Sequence, residues 1–167
     1  MHIRPETSDD QESIRGLLQA AFESDAEARL VEALRQSGLE LISLVAVEDG
    51  LVVGHILFSP VTLDSDESIK IAGLAPMAVL PQLQKQGIGA RLILEGLKAC
   101  ELQSYEVVVV LGHPQYYPHF GFESSLKYGI HSEFEVPDDA FMLQELKPHV
   151  LEGKSGTIHY APAFKQV

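Results

Sequence analysis

The spacing of apolar residues changes period several times along the chain, which predicts a mixed α/β domain. His2 to Pro5 reads as a short opening strand. Ile14, Leu17, Leu18, Ala21 and Phe22 then fall on one helical face, with Ser8 and Gln11 spaced as a capping box at its start. A second helix carries Leu30, Val31 and Leu34, has Ser24 and Glu27 spaced as a second capping box, and has Gly38 placed to end it. Residues 41–48 and 51–61 are rich in β-formers and flank Asp49-Gly50, a pair suited to a tight hairpin. Residues 68–79 predict another strand, 87–100 a helix, and 105–111 a strand whose unbroken valines suit burial on both faces. Strand, helix and strand in that order make a parallel crossover unit. The 167 residues suffice for a substantial core, so one domain spanning 1–167 is expected.

Composition narrows the function classes. With 46% apolar and 22% charged residues the chain is expected to fold rather than stay disordered. Its apolar runs fall far short of the ~20 residues a membrane helix needs, and its start lacks the apolar stretch of a signal peptide, so a cytoplasmic protein away from membranes is expected. A net charge of −12 repels a phosphate backbone and argues against a nucleic-acid partner, while favouring cationic small molecules or basic peptides. The single cysteine, Cys100, has no CxxC partner and fits a reducing compartment. It reads as a small buried hydrophobe in preference to a nucleophile. His113 and His119 lack zinc-helix spacing and no HExxH occurs, so no metal is expected.

The chemistry concentrates in "LPQLQKQGIGARLI", residues 80–93, where Gly87 and Gly89 stand at the strand-to-helix junction. The first amides of a helix lack internal acceptors and lie at the positive end of its dipole, so this turn can hold a phosphate or pyrophosphate. It is not a dinucleotide fingerprint, because Leu92 stands where the third glycine belongs. Nor is Gly153-Lys154-Ser155 a P-loop, since Pro148 occupies the place of the required glycine. On its own, the Gly-x-Gly pair fits tight packing of a helix start on the sheet better than phosphate binding.

The wider context distinguishes these readings. "VLPQLQKQGIGARL" resembles the acyl-CoA signature of the GNAT superfamily of N-acetyltransferases, [Q/R]-x-x-G-x-[G/A] after a strand, at Gln84, Gly87 and Gly89. "YYPHFGF" resembles that family's Y-x-x-x-G-F stretch, with Tyr117 four residues before Gly121. The helix pair, the "VEDGLVVGHILFS" hairpin and the strand-rich last third follow the family's order. "GLAPMAVLP" and "SGTIHYAPAF" further look like a subgroup of small bacterial predicted acetyltransferases. The resemblance implies an α/β fold with a mixed, mostly antiparallel sheet flanked by helices, and one central parallel strand pair splayed around acyl-CoA. It implies acetyl-CoA as co-substrate, with pantetheine bonded by the strand at Met77, Ala78 and Val79. The pyrophosphate is expected in the turn formed by Gln84, Lys85, Gln86, Gly87, Ile88, Gly89 and Ala90.

The implied reaction transfers an acetyl group to a primary amine by direct attack in a ternary complex. Tyr117 matches the family's thiolate-protonating tyrosine, and a phenol with a pKa near ~10 is protonated at neutral pH. An amide near Ala78 is the implied oxyanion donor. Glu23, Glu27, His113 and His119 are candidate bases. Lys85, Arg91 and Lys98 can meet CoA phosphates or simply face solvent. The expected partners are acetyl-CoA and a small amine or peptide amine, with a homodimer left open. The reading of a different class is a non-catalytic acyl-CoA-binding sensor.

Overall fold

The computed structural model describes residues 1–166. Strand β1 (His2–Pro5) is followed by helices α1 (Gln11–Ala21) and α2 (Ala26–Gln36), then by strands β2 (Ile42–Glu48), β3 (Leu51–Leu63) and β4 (Ile71–Val79). Helix α3 (Ile88–Leu102) crosses to β5 (Val107–Leu111), and β6 (Glu123–Ser124), β7 (Ile130–Ser132), β8 (Phe141–Glu145) and β9 (Gly156–His159) complete the chain. The main sheet runs β1-β2-β3-β4-β5-β8-β6, with β9 pairing the far end of β3 and β7 beside it. Pairing is antiparallel except between β4 and β5 and between β7 and β9. Among the described residues no helix is long and apolar enough to cross a membrane.

Strand alternation distributes the core. Leu44 and Ala46 on β2 face α3, where Leu92, Ile93, Leu97 and Cys100 meet Phe58, Val108 and Val110. Val45 and Val47 face the other way, onto Ile14, Leu18, Val31 and Leu34 of the helix pair. Val107 and Val109 join a third cluster with Leu63, Phe141, Leu143 and Ile158. The valine run is therefore buried on both faces, and each fully buried aliphatic side chain contributes ~1.5–3 kcal/mol. Cys100 is buried here, and burial pushes its thiol up to about 12, as befits a core side chain.

The ends of several elements differ from the sequence expectation. The capping box is formed by Thr7 and Asp10, with Thr7 N–H donating to Asp10 Oδ2 at 2.7 Å, rather than by Ser8 and Gln11. Asp10 also takes both arms of Arg4, a pairing that glutamine has no charge to match. Strand β4 begins at Ile71 rather than residue 68, because Ser68 N–H donates to Asp66 Oδ1 in a side-chain turn that competes with the ladder. Strand β5 starts at Val107, since Tyr105 N–H still bonds Cys100 O at the end of α3.

A buried polar cluster ties the helix pair to the sheet. Arg35 Nε of α2 donates to Glu6 Oε2 at 2.8 Å, Ser43 Oγ donates to Glu6 Oε1 at 2.5 Å, and His55 Nε2 lies 2.8 Å from Ser43 Oγ. Burial by itself raises the Glu6 carboxyl, but the His55 ring, the Arg35 guanidinium and the Ser43 hydroxyl outweigh it and lower Glu6 from 4.5 to about 2. A depressed folded pKa gives stability that is present above the unfolded value and lost as pH falls through the folded one. Thermal stability should therefore fall on acidification from about pH 4.5 to about pH 2. Glu6→Gln should have a lower melting temperature at pH 7 and a shallower fall over that interval. A melting series that is equally steep in both proteins would remove Glu6 from the account.

Candidate active site

The parallel pairing of β4 and β5 runs from Ile71↔Val107 to Leu74↔Val110 and stops there. Beyond it, the register of β3 against β4 shifts between Ile56 and Phe58, where Ala75 and Pro76 face the single Leu57. Strand β4 continues to Val79 on β3 alone, leaving its other edge open. Antiparallel ladders alternate, so the direction of each amide follows from one bond. Leu80 N–H donates to Val53 O at 3.0 Å, and Ala78 lies opposite His55 two positions back. Ala78 N–H consequently points at β3, whereas the amides of Met77 and Val79 point into the gap. Of the amides near Ala78 expected to serve an oxyanion, those of Met77 and Val79 are therefore the ones that face the gap.

The turn after β4 presents further amides. Gly87 has φ +89°, a left-handed conformation that glycine adopts without a Cβ penalty, and it opens α3. The first helical bond runs from Arg91 N–H to Gly87 O at 3.1 Å, so the amides of Ile88, Gly89 and Ala90 precede it without helical acceptors. Gln84 Nε2 donates to Val79 O at 3.2 Å, folding the turn back onto the strand end. At Gly89 an added Cβ would lie 3.2 Å from Tyr116 Oη.

Two clefts adjoin in the gap. One, of about 620 Å³, is lined by Met77, Ala78, Val79, Gln84, Lys85, Gly87, Ile88, Gly89 and Ala90, together with Ala21, Phe22, Leu83, His113 and Tyr116. Gln86 is exposed and lies outside that lining. The other, of about 500 Å³, is lined by Phe22, Glu27, Leu30, residues 74–77, residues 110–113, Tyr116, Tyr117, Phe134, Tyr160 and Phe164. Phe22, Met77, His113 and Tyr116 border both, so the two clefts meet along the β4 edge.

Tyr117 is buried at the start of a 3-10 turn spanning Tyr117–Phe120, and its ring lies edge-on to both Tyr116 and Phe122. A Cβ at Gly112 would come 2.3 Å from the Tyr117 ring, so the missing side chain there lets the ring pack close against the backbone that follows β5. Burial, reinforced by Tyr116, pushes the Tyr117 phenol up to about 12.

Comparison with known proteins decides the family. The GNAT acetyltransferase domain family matches residues 40–124. The uncharacterized N-acetyltransferase YhbS of Escherichia coli K12 is 37% identical over 99% of both chains. The chain belongs to the GNAT N-acetyltransferase family. A crystal structure of the E. coli GNAT enzyme YhbS in complex with CoA superposes with a TM-score of 0.94 at 36% identity, covering 98% of this chain and 91% of that one. A GNAT acetyltransferase of Brucella melitensis in complex with acetyl-CoA gives 0.82 at 36% identity, covering 98% and 97%. The mostly antiparallel sheet with its parallel β4–β5 pair is the GNAT fold expected from the sequence.

The remaining GNAT expectations sort by position. Of the four base candidates, Glu27 and His113 line the second cleft, whereas Glu23 and His119 are exposed away from it. Of the three basic candidates, Lys85 borders the turn, whereas Arg91 and Lys98 line a separate groove with Glu95 and Glu101. Sequence reasoning did not single out Phe134, Tyr160, Phe164 and Leu30 as a wall. They come from three distant segments, and the short "HYAPAF" run was the sole signal, without a spacing that implies a partner.

Proposed function

We propose that this GNAT chain transfers an acetyl group from acetyl-CoA to a primary amine within a ternary complex, with pyrophosphate in the 84–90 turn and the amine in the aromatic cleft. The observation that carries this reading is that the amide-rich turn and the buried Tyr117 border adjoining clefts where β4 and β5 part. The amides of Ile88, Gly89 and Ala90 suit phosphate oxygens, and the outward amides of Met77 and Val79 suit pantetheine. Met77, bordering both clefts, supplies the N–H for the developing oxyanion.

The ammonium form of the acceptor first loses a proton, to Glu27 or to water beside His113. Its nitrogen then forms the C–N bond to the thioester carbonyl carbon, the C–S bond breaks, and Tyr117 Oη–H protonates the departing sulfur. The amide nitrogen sheds its second proton to water, and the phenolate regains one. Burial pushes the Tyr117 phenol up to about 12, so it carries its proton at neutral pH and can pass it to the departing sulfur. A cytoplasmic setting agrees with the one unpaired, buried cysteine.

CoA release measured across a broad amine panel should exceed the no-amine control at least ~10-fold for some member, as a bound nucleophile requires. Release indifferent to every amine, with acetyl-CoA still bound, would convert the reading to that of an acyl-CoA sensor.

A further inference from the structure

The second cleft holds a chemical asymmetry that narrows the acceptor. Its walls are Phe22, Leu30, Phe134, Tyr160 and Phe164, with Tyr160 5.5 Å from Phe134 and 5.0 Å from Phe164 between ring centroids. Against them stands one carboxylate, Glu27, whose Oε1 is buried with no hydrogen-bond partner among the described residues. A buried carboxylate oxygen without a donor is costly, and a ligand N–H removes that cost. The neighbouring carboxylate is already engaged: Glu133 accepts Tyr160 N–H at 2.8 Å and faces His159 at 3.2 Å and Lys165 at 3.3 Å. A second ammonium held against the cleft walls would therefore meet no counter-charge in the lining.

We infer that the acceptor is a monocationic primary amine with an aromatic body, an arylalkylamine whose ammonium donates to Glu27 while its ring lies among Phe134, Tyr160 and Phe164. The inference rests on the proposed acetyl transfer for its chemistry but stands on the cleft for its binding. A volume of about 500 Å³ accommodates such a molecule and lies within the ~300–1,000 Å³ usual for small-ligand sites. Aromatic faces favour both the ring and the adjacent cation. Polyamines and aminoglycosides, which carry several ammonium groups, leave all but one unpaired.

Titration calorimetry of 2-phenylethylamine, spermidine and kanamycin into the CoA-saturated protein tests this, with CoA release from acetyl-CoA followed in parallel. The expected result is 2-phenylethylamine binding at least ~10-fold tighter than either polycation. Glu27→Gln should weaken it by at least ~10-fold, since a charge-assisted hydrogen bond is lost, with the acetyl-CoA dissociation constant unchanged as the check on folding. Tighter binding of spermidine or kanamycin, no binding of 2-phenylethylamine, or undiminished binding by Glu27→Gln overturns the inference. Binding as expected without CoA release upholds the pocket and removes acetyl transfer. CoA release with polycations alone removes the pocket and leaves acetyl transfer standing.

Discussion

Tyr117→Phe should lower kcat by ~10²–10⁴, the range for losing a general acid, while the acetyl-CoA dissociation constant changes little. The substitution removes one hydroxyl and keeps the ring that lies over Gly112 and edge-on to Phe122, so packing is preserved. The pH profile separates this tyrosine from an ordinary one. A phenol near ~10 would deprotonate by pH 10 and let wild type and variant converge there. With burial pushing Tyr117 up to about 12, the proton stays on Oη throughout the range in which the enzyme can be assayed. The ratio of the two rates should therefore be flat from about pH 7 to 10. Steady-state kinetics with saturating amine provide the measurement. A folded Phe variant with wild-type kcat would reduce Tyr117 to a packing residue and leave the thiolate to depart unassisted or through water.

Gly89→Glu should weaken acetyl-CoA binding by at least ~10², because it places negative charge at a helix start whose free amides are the proposed pyrophosphate ligands. The new Cβ would lie 3.2 Å from Tyr116 Oη and 3.6 Å from Met77 Cε, both at the ends of side chains, so the fold can absorb it. Gly89→Ala adds the same Cβ without the longer arm or the charge and should cost less than ~10-fold. Thermal melts with and without acetyl-CoA report the difference, since a ligand at 100 times its dissociation constant stabilises by ~2.7 kcal/mol. At the same ligand concentration the Glu variant, weakened ~10²-fold or more, should gain no more than ~0.4 kcal/mol, so its melting temperature should barely move. An unchanged dissociation constant in a folded Glu variant would move the pyrophosphate out of this turn.

The elements that sequence placed correctly are those whose signal is periodic or fixed by one residue type. Alternation in β2 and β3 around Asp49-Gly50, the valines of β5, and Gly87 at the start of α3 each follow from local physics. Element ends were less legible, because Asp66 and Ser68 or Thr7 and Asp10 settle them through competing side-chain bonds. The direction of the strand amides illustrates a sharper limit. In a strand the amides alternate, so a sequence that points to the neighbourhood of Ala78 does not say which N–H faces the gap, and the bond from Leu80 to Val53 fixes the phase. The aromatic wall was illegible for another reason: Phe22, Phe134 and Tyr160 become neighbours through the topology, and no spacing along the chain encodes that.

The division between backbone and side chain in the two clefts governs how this protein can change. The proposed donor half presents amides of Met77, Val79 and residues 88–90, atoms that every amino acid except proline retains, so substitutions that spare the left-handed Gly87 and add no negative charge keep these donors in place. The proposed acceptor wall is made of side chains from three separated segments, residues 22–30, Phe134 and residues 160–164. On the proposed reading, drift erodes the two specificities at unequal rates: contacts made through the backbone are buffered, while contacts made through side chains change with every replacement.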